Sequence, residues 1–151
     1  MLISGRRLAI DYGDARIGIS LSDPMCIVAS PLVTIANSNN LEIALTQIIR
    51  LIEENDVAVV YVGLPLHLSG MEGESAAKVR HFSALLKAKL PASVEMRLVD
   101  ERLSTASAQR GASEVGKQLS KENVDQWAAV SILESALHRE KLSDQLAGVP
   151  L

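Results

Sequence analysis

Cysteine is nearly absent: Cys26 is the single one in 151 residues. That excludes an internal disulfide and any four-cysteine zinc site. Aromatics are scarce, with one Phe, two Tyr and one Trp, which leaves the core to Leu, Ile, Val and Ala. No apolar run reaches transmembrane length, and no charged leader runs into a secretory hydrophobic segment. The expectation is a cytoplasmic protein with no membrane partner. An excess of positive charge is missing too, since 15 Lys and Arg stand against 18 Asp and Glu, a net charge of −3. This is not the balance of a general nucleic-acid coating protein. It remains compatible with a nucleic-acid enzyme whose acids hold cations. The glycine spacing and terminal Gly-Lys-Ser/Thr of a phosphate loop are also absent.

The residues present suit one folded domain. Nearly half are apolar, 48%, and the length is enough for a core of its own. Residues 7–12 and 16–22 read as a first hairpin. Leu8 and Ile10 share one face of the first strand, and Ala9 and Asp11 the other. Asp23-Pro24 is a turn, and residues 26–35 read as a third strand bent near Pro31. Cys26 is expected there as a small apolar residue. Leu41, Ala44, Leu45, Ile48, Ile49 and Ile52 recur at helical spacing. Val57–Val62 is a nearly continuous apolar run, suited to a central parallel strand covered on both faces.

A Gly63–Gly70 loop containing Pro65 and His67 follows. The next helix spans Glu74–Lys89, with Val79, Phe82, Leu86 and Leu90 as its apolar stripe, and Val94–Val99 makes another strand. Ser104 or Thr105 is expected to cap a short helix to about Arg110, and Gly111–Lys121 to form a mobile loop. Ser120 is expected to cap a last helix from Lys121 to His138. The domain is thus placed at 1–138, and 139–151 is expected to be a peripheral tail that frays. A helix between strands makes the class α/β.

Two acids sit where a packed surface is expected. Asp11 ends the first strand, opposite Leu8 and Ile10. Asp125 lies three, four and seven residues before Ala128, Ala129 and Ile132, on their face of the last helix. Each has a plainer role as well, Asp11 as the start of a turn and Asp125 as a capping acid. Asp100 and Glu101 follow a later strand and would point in opposite directions if still extended. Should these acids converge, hard oxygen ligands suit Mg2+ or Mn2+ rather than zinc. Two such ions about 3.5–4 Å apart can activate water and stabilise the leaving oxygen in phosphodiester cleavage. Arg102 suits either an electrostatic anchor or a phosphate contact. Arg7 and Arg16 are among the candidate phosphate contacts, and Lys117 and Lys121 can neutralise substrate from the loop. His67 is a candidate substrate contact or an ordinary surface histidine.

These residues carry a resemblance. Asp11-Tyr12-Gly13, Arg16-Ile17-Gly18 and Ser22-Asp23-Pro24 are similar to the opening of the YqgF/RuvX family. Gly63-Leu64-Pro65-Leu66 with Gly70, Asp100-Glu101-Arg102-Leu103-Ser104-Thr105 and Val124-Asp125-Gln126-Trp127-Ala128-Ala129 resemble its later blocks. Trp127 stands where many relatives carry a smaller aliphatic residue. The resemblance implies a ribonuclease-H-like fold, a mixed central sheet flanked by helices. It implies a metal-dependent nuclease maturing the 5′ end of pre-16S rRNA, or a Holliday-junction resolvase.

Carried onto this chain, the catalytic and metal-binding set is Asp11, Glu101 and Asp125, with Asp100 a neighbouring candidate. Substrate contacts fall to Arg16, Arg102, Lys117, Lys121 and His67. The implied cofactor is Mg2+ or Mn2+, two ions in the substrate complex. The implied partners are structured RNA or branched DNA, pre-ribosomal particles and a second copy of the chain. A noncatalytic nucleic-acid-binding assembly factor is the alternative of another class. A two-domain ATP clamp of the actin-like kind needs a longer chain.

Overall fold

The computed structural model describes residues 2–37, 40–103 and 121–151. Six strands form one sheet: β1 (Arg6–Tyr12), β2 (Arg16–Ser22), β3 (Ala29–Ala36), β4 (Val57–Leu64), β5 (Glu95–Asp100) and β6 (Val149–Pro150). Their order across the sheet is β3-β2-β1-β4-β5-β6. β1, β2 and β3 form an antiparallel meander, β1–β4 and β4–β5 are parallel, and β6 adds antiparallel to β5. The parallel steps follow from the helices between those strands, because a parallel neighbour needs a crossover.

Helices α1 (Leu41–Glu54) and α2 (Glu74–Lys89) cover one face, and α3 (Lys121–Ser143) covers the other. The stripes foreseen for α1 and α2 are the buried ones. Ala44, Leu45, Ile48 and Ile52 of α1, with Val79, Phe82 and Leu86 of α2, pack on Leu8, Ile10, Val60 and Val62. Asn40 caps α1, its side chain accepting the Glu42 N–H at 3.1 Å. On the far face, Ile132, Leu133, Ala136 and Leu137 of α3 pack on Ala9, Val59 and Tyr61. β4 is covered on both faces, as its continuous apolar run predicts. The two-residue alternation of β1 likewise separates Leu8 and Ile10 from Ala9.

The start of the third strand and the end of the last helix differ from the sequence reading. The third strand starts at Ala29, not at residue 26, because the Asp23 carboxylate gathers the N–H groups of Met25, Ile27 and Val28 into a turn. Cys26 lies in that turn with φ 57° rather than in a strand. The bend foreseen at Pro31 is a register shift opposite Ile19 and Ser20. α3 continues to Ser143, and residues beyond 138 are not a fraying tail. Glu140 is 3% and Ala147 5% exposed, and the Arg97 guanidinium donates to the carbonyls of Ala147 and Gly148. The foreseen caps at Ser104, Thr105 and Ser120, the short helix to Arg110 and most of the loop 111–121 lie outside the described residues.

Candidate active site

Asp11 is the sixth residue of β1 and pairs with Gly18 of β2. Its side chain shares the α3 face with Ala9, where a helix should seal the sheet. Two glycines let other parts of the chain close onto the sheet there. A Cβ at Gly18 would lie 2.1 Å from the Asp125 carbonyl oxygen and 3.1 Å from the Asp125 Cβ. The first turns of α3 therefore rest directly on the β2 backbone, which sets Asp125 above the strand next to Asp11. A Cβ at Gly63 would lie 2.6 Å from Ile132 Cδ1 and 3.5 Å from the Glu101 carboxyl carbon. Gly63 follows Val62, the partner of Ile10, so Ile132 and Glu101, which close over it, flank Asp11 from the other side. Glu101 arrives from one turn of 3-10 helix, Glu101–Leu103, directly after β5.

The structure thus brings Asp11, Glu101 and Asp125 together from three distant parts of the chain. Asp11 shares a hydrogen bond with Glu101. Burial first, then that bond and the charges of Glu101 and Asp125, push the Asp11 carboxyl from 3.8 up to about 8. Clustered carboxylates in partial burial need either a proton or a cation. The donor set, oxygen only, is that of a hard divalent ion. Arg16 already supplies a positive group: its Nε donates to Asp125 Oδ2 at 2.8 Å. Among the described residues, no group of three or more His, Cys, Asp or Glu side chains is placed to hold a metal ion. The oxygen donors of Asp11, Glu101 and Asp125 would suit a divalent cation by their chemistry, while Asp125 is turned to Arg16.

The other candidates divide. Asp100 is held by Arg102, which donates to both of its carboxylate oxygens, the shortest contact being 2.6 Å. That pairing keeps the Asp100 carboxyl below its usual range. Arg102 also donates to the carbonyls of His67 and Leu68. It is an anchor tying the loop after β4 to the end of β5. The His67 ring lies against Gly73, within 2.3 Å of where a Cβ there would stand, and the His67 backbone N–H donates to the Met71 carbonyl. Lys121 opens α3, and Lys117 lies outside the described residues. Arg7 is not a phosphate contact. It is 1% exposed and forms a buried ion pair with Glu140 at 3.0 Å.

Sequence reasoning missed that buried pair and the closeness of Gly63 to Ile132 and Glu101, whereas Gly18 carried the expectation of tight backbone geometry that a side chain would block. A signal existed for the pair: Arg7 shares the strand face of Ala9 and Asp11, and Glu140 continues the Leu133, Ala136, Leu137 stripe. For Gly63 the signal was weaker, a glycine within an apolar strand.

Comparison with known proteins gives a consistent set of likenesses. The family model described as "RuvX: Holliday junction resolvase" matches residues 5–139. A protein of Streptomyces coelicolor named "Putative pre-16S rRNA nuclease" is 44% identical over 146 residues, covering 95% of this chain and 86% of its own. A relative of the same name in Nocardioides sp. is 42% identical over 149 residues, with 96% and 95% covered. Among solved structures, Thermus thermophilus RuvC in complex with a Holliday junction substrate superposes with TM-score 0.67 at 13% identity, covering 97% of this chain and 99% of that one. A second T. thermophilus RuvC structure gives TM-score 0.59 at 10% identity. At such identities the likeness establishes the fold, which is ribonuclease-H-like.

Proposed function

The chain belongs to the RuvX family, and from that membership we propose that it is a metal-dependent endonuclease that processes the 5′ end of pre-16S rRNA. The observation that carries this reading is the meeting of Asp11, Glu101 and Asp125 beside two side-chain-free strand positions. Asp11, Glu101 and Asp125 would hold Mg2+ or Mn2+, two ions once substrate is present. Such ions supply activation of the attacking water and Lewis-acid stabilisation of the leaving oxygen. The protein's own part is to present three carboxylates from rigid elements and, through Gly18 and Gly63, to let the α3 backbone and the Ile132 side chain close onto the sheet beside them. Arg102 positions the loop after β4 through its bonds to Asp100, His67 and Leu68. Asp100 thereby serves the anchor rather than the ion. Substrate phosphates fall to Arg16, Lys117 and Lys121, in the setting of pre-ribosomal particles in the cytoplasm. Among the described residues no helix is long and apolar enough to cross a membrane.

The test is a cleavage panel of precursor 16S rRNA, duplex RNA, duplex DNA and four-way DNA junctions with Mg2+ or Mn2+. The wild type is expected to cut precursor RNA. Asp11→Asn is expected to lose at least about 100-fold in rate, as removal of a principal charge-stabilising group does. Full activity in Asp11→Asn would defeat the site assignment. The family description favours a second reading, resolution of Holliday junctions. Symmetric paired cuts at a junction by a homodimer, with RNA left intact, would place it first. Binding without cleavage of every substrate would leave an assembly factor.

A further inference from the structure

The pairing of Arg16 with Asp125 has the features of a temporary contact. Arg16 opens β2 and reaches an acid 109 residues away through one bond, Nε to Oδ2 at 2.8 Å. The two side chains are 36% and 24% exposed. The other inter-element Arg–acid pair on this face behaves differently. Arg7 and Glu140 are 1% and 4% exposed, and Nε of Arg7 contacts both carboxylate oxygens. A buried pair of that kind is costly to open, whereas a single contact between partly exposed side chains is weaker and more easily exchanged.

Asp125 does not need Arg16 to hold its place. Its backbone is pinned over Gly18, and one helical turn later Ser20 Oγ donates to the Ala129 carbonyl at 2.7 Å. What Arg16 supplies is charge. Asp11 and Glu101 share a hydrogen bond at the same spot, and Asp125 adds to the negative field on Asp11. The guanidinium offsets the third carboxylate.

We propose that Arg16 is a displaceable counter-ion of Asp125, a positioning residue that holds the carboxylate until a divalent cation takes it. Once released, the guanidinium stands at the rim of the site, where a nucleic-acid phosphate can accept its N–H groups. Phosphate binding to Arg16 and cation binding to Asp125 then favour one another, and the coupling is reciprocal. This rests on the nuclease reading above and adds to it an order of events within the site.

The experiment is Mn2+ titration of the full chain, followed by electron paramagnetic resonance, for wild type, Arg16→Gln, Arg16→Lys and Asp11→Asn. Each is measured alone and with a hydrolysis-resistant phosphorothioate RNA duplex, after circular dichroism confirms the fold. Arg16→Gln is expected to bind Mn2+ alone about threefold more tightly than wild type, the scale of an exposed ion pair. Arg16→Lys keeps the competing charge and is expected to match wild type. The gain in Mn2+ affinity on adding RNA is expected to be smaller in Arg16→Gln. Equal or weaker Mn2+ binding by Arg16→Gln, or an undiminished RNA effect, overturns the proposal. Asp11→Asn separates the two levels. If it binds Mn2+ as wild type does, the nuclease site itself is misassigned. If it loses Mn2+ while Arg16→Gln is unchanged, only the role of Arg16 fails.

Discussion

Asp11 occupies a setting that favours its protonated form. Its carboxyl lies at about 8 in the fold against 3.8 in the open chain, through burial and then Glu101. Between those values folding takes up a proton, so the stability this group contributes is complete below about pH 4 and declines as pH rises to about 8. In EDTA, Asp11→Asn escapes that decline. Its advantage over wild type in urea unfolding is expected to be near zero at pH 4. It should grow to on the order of 2 kcal/mol at pH 8, discounted from the full linkage because the side chain is only partly buried. An advantage that does not change with pH would contradict the account. The same substitution is expected to abolish cleavage, so stability and activity oppose one another at this residue. Asp11 was legible before any coordinates because strand alternation put it on a face meant for apolar packing. Asp125 was legible for the equivalent reason on a helix. The pairing of Arg102 with Asp100 was half legible, since two residues apart in sequence is close enough to meet in many conformations.

At the scale of elements, the contact of α3 with β2 decides the site. Helix and strand backbones approach only where no side chain intervenes, and Gly18 supplies that gap against the Asp125 carbonyl. Gly18→Ala has no flexible neighbour to displace, because the obstructing atoms are helix backbone. It is expected to cost about 1–3 kcal/mol by overpacking, and to lower cleavage further than a destabilising core substitution of equal cost such as Ile48→Val. Urea unfolding and rate measurements on the two variants check this. Equal activity at equal stability would show that the spacing of α3 above β2 is not critical. The elements themselves were largely readable: α2 spans Glu74–Lys89 as its pattern predicts, and β4 has the double burial of its apolar run. The third strand was misread because a carboxylate, Asp23, captures the backbone that β-branched residues at 27 and 28 would otherwise extend.

The whole molecule is closed by a contact between its first strand and its last helix. Arg7 and Glu140 are 133 residues apart, and Tyr61 donates to the same carboxylate at 2.6 Å while accepting the Ala147 N–H at 3.1 Å. Burial, then the bond to Glu140, pushes the Tyr61 hydroxyl pKa upward. Removing one partner strands a buried charge. Glu140→Gln is therefore expected to cost about 3–5 kcal/mol in urea unfolding, and Arg7→Met with Glu140→Leu to recover most of it. A loss below about 1 kcal/mol for Glu140→Gln would mean that water reaches Arg7.

The sequence by itself determined most of the elements and the faces their residues take, because period 2 and period 3.6 are properties of a few neighbouring residues, and its ordered motif blocks carried the family resemblance. The tertiary structure alone decided which charges meet: Arg16 with Asp125 rather than with solvent, Arg7 with Glu140 rather than with phosphate. Such pairings depend on distances through space between segments more than 100 residues apart. Local patterning places a charge on a face, and only the packing of that face selects its partner.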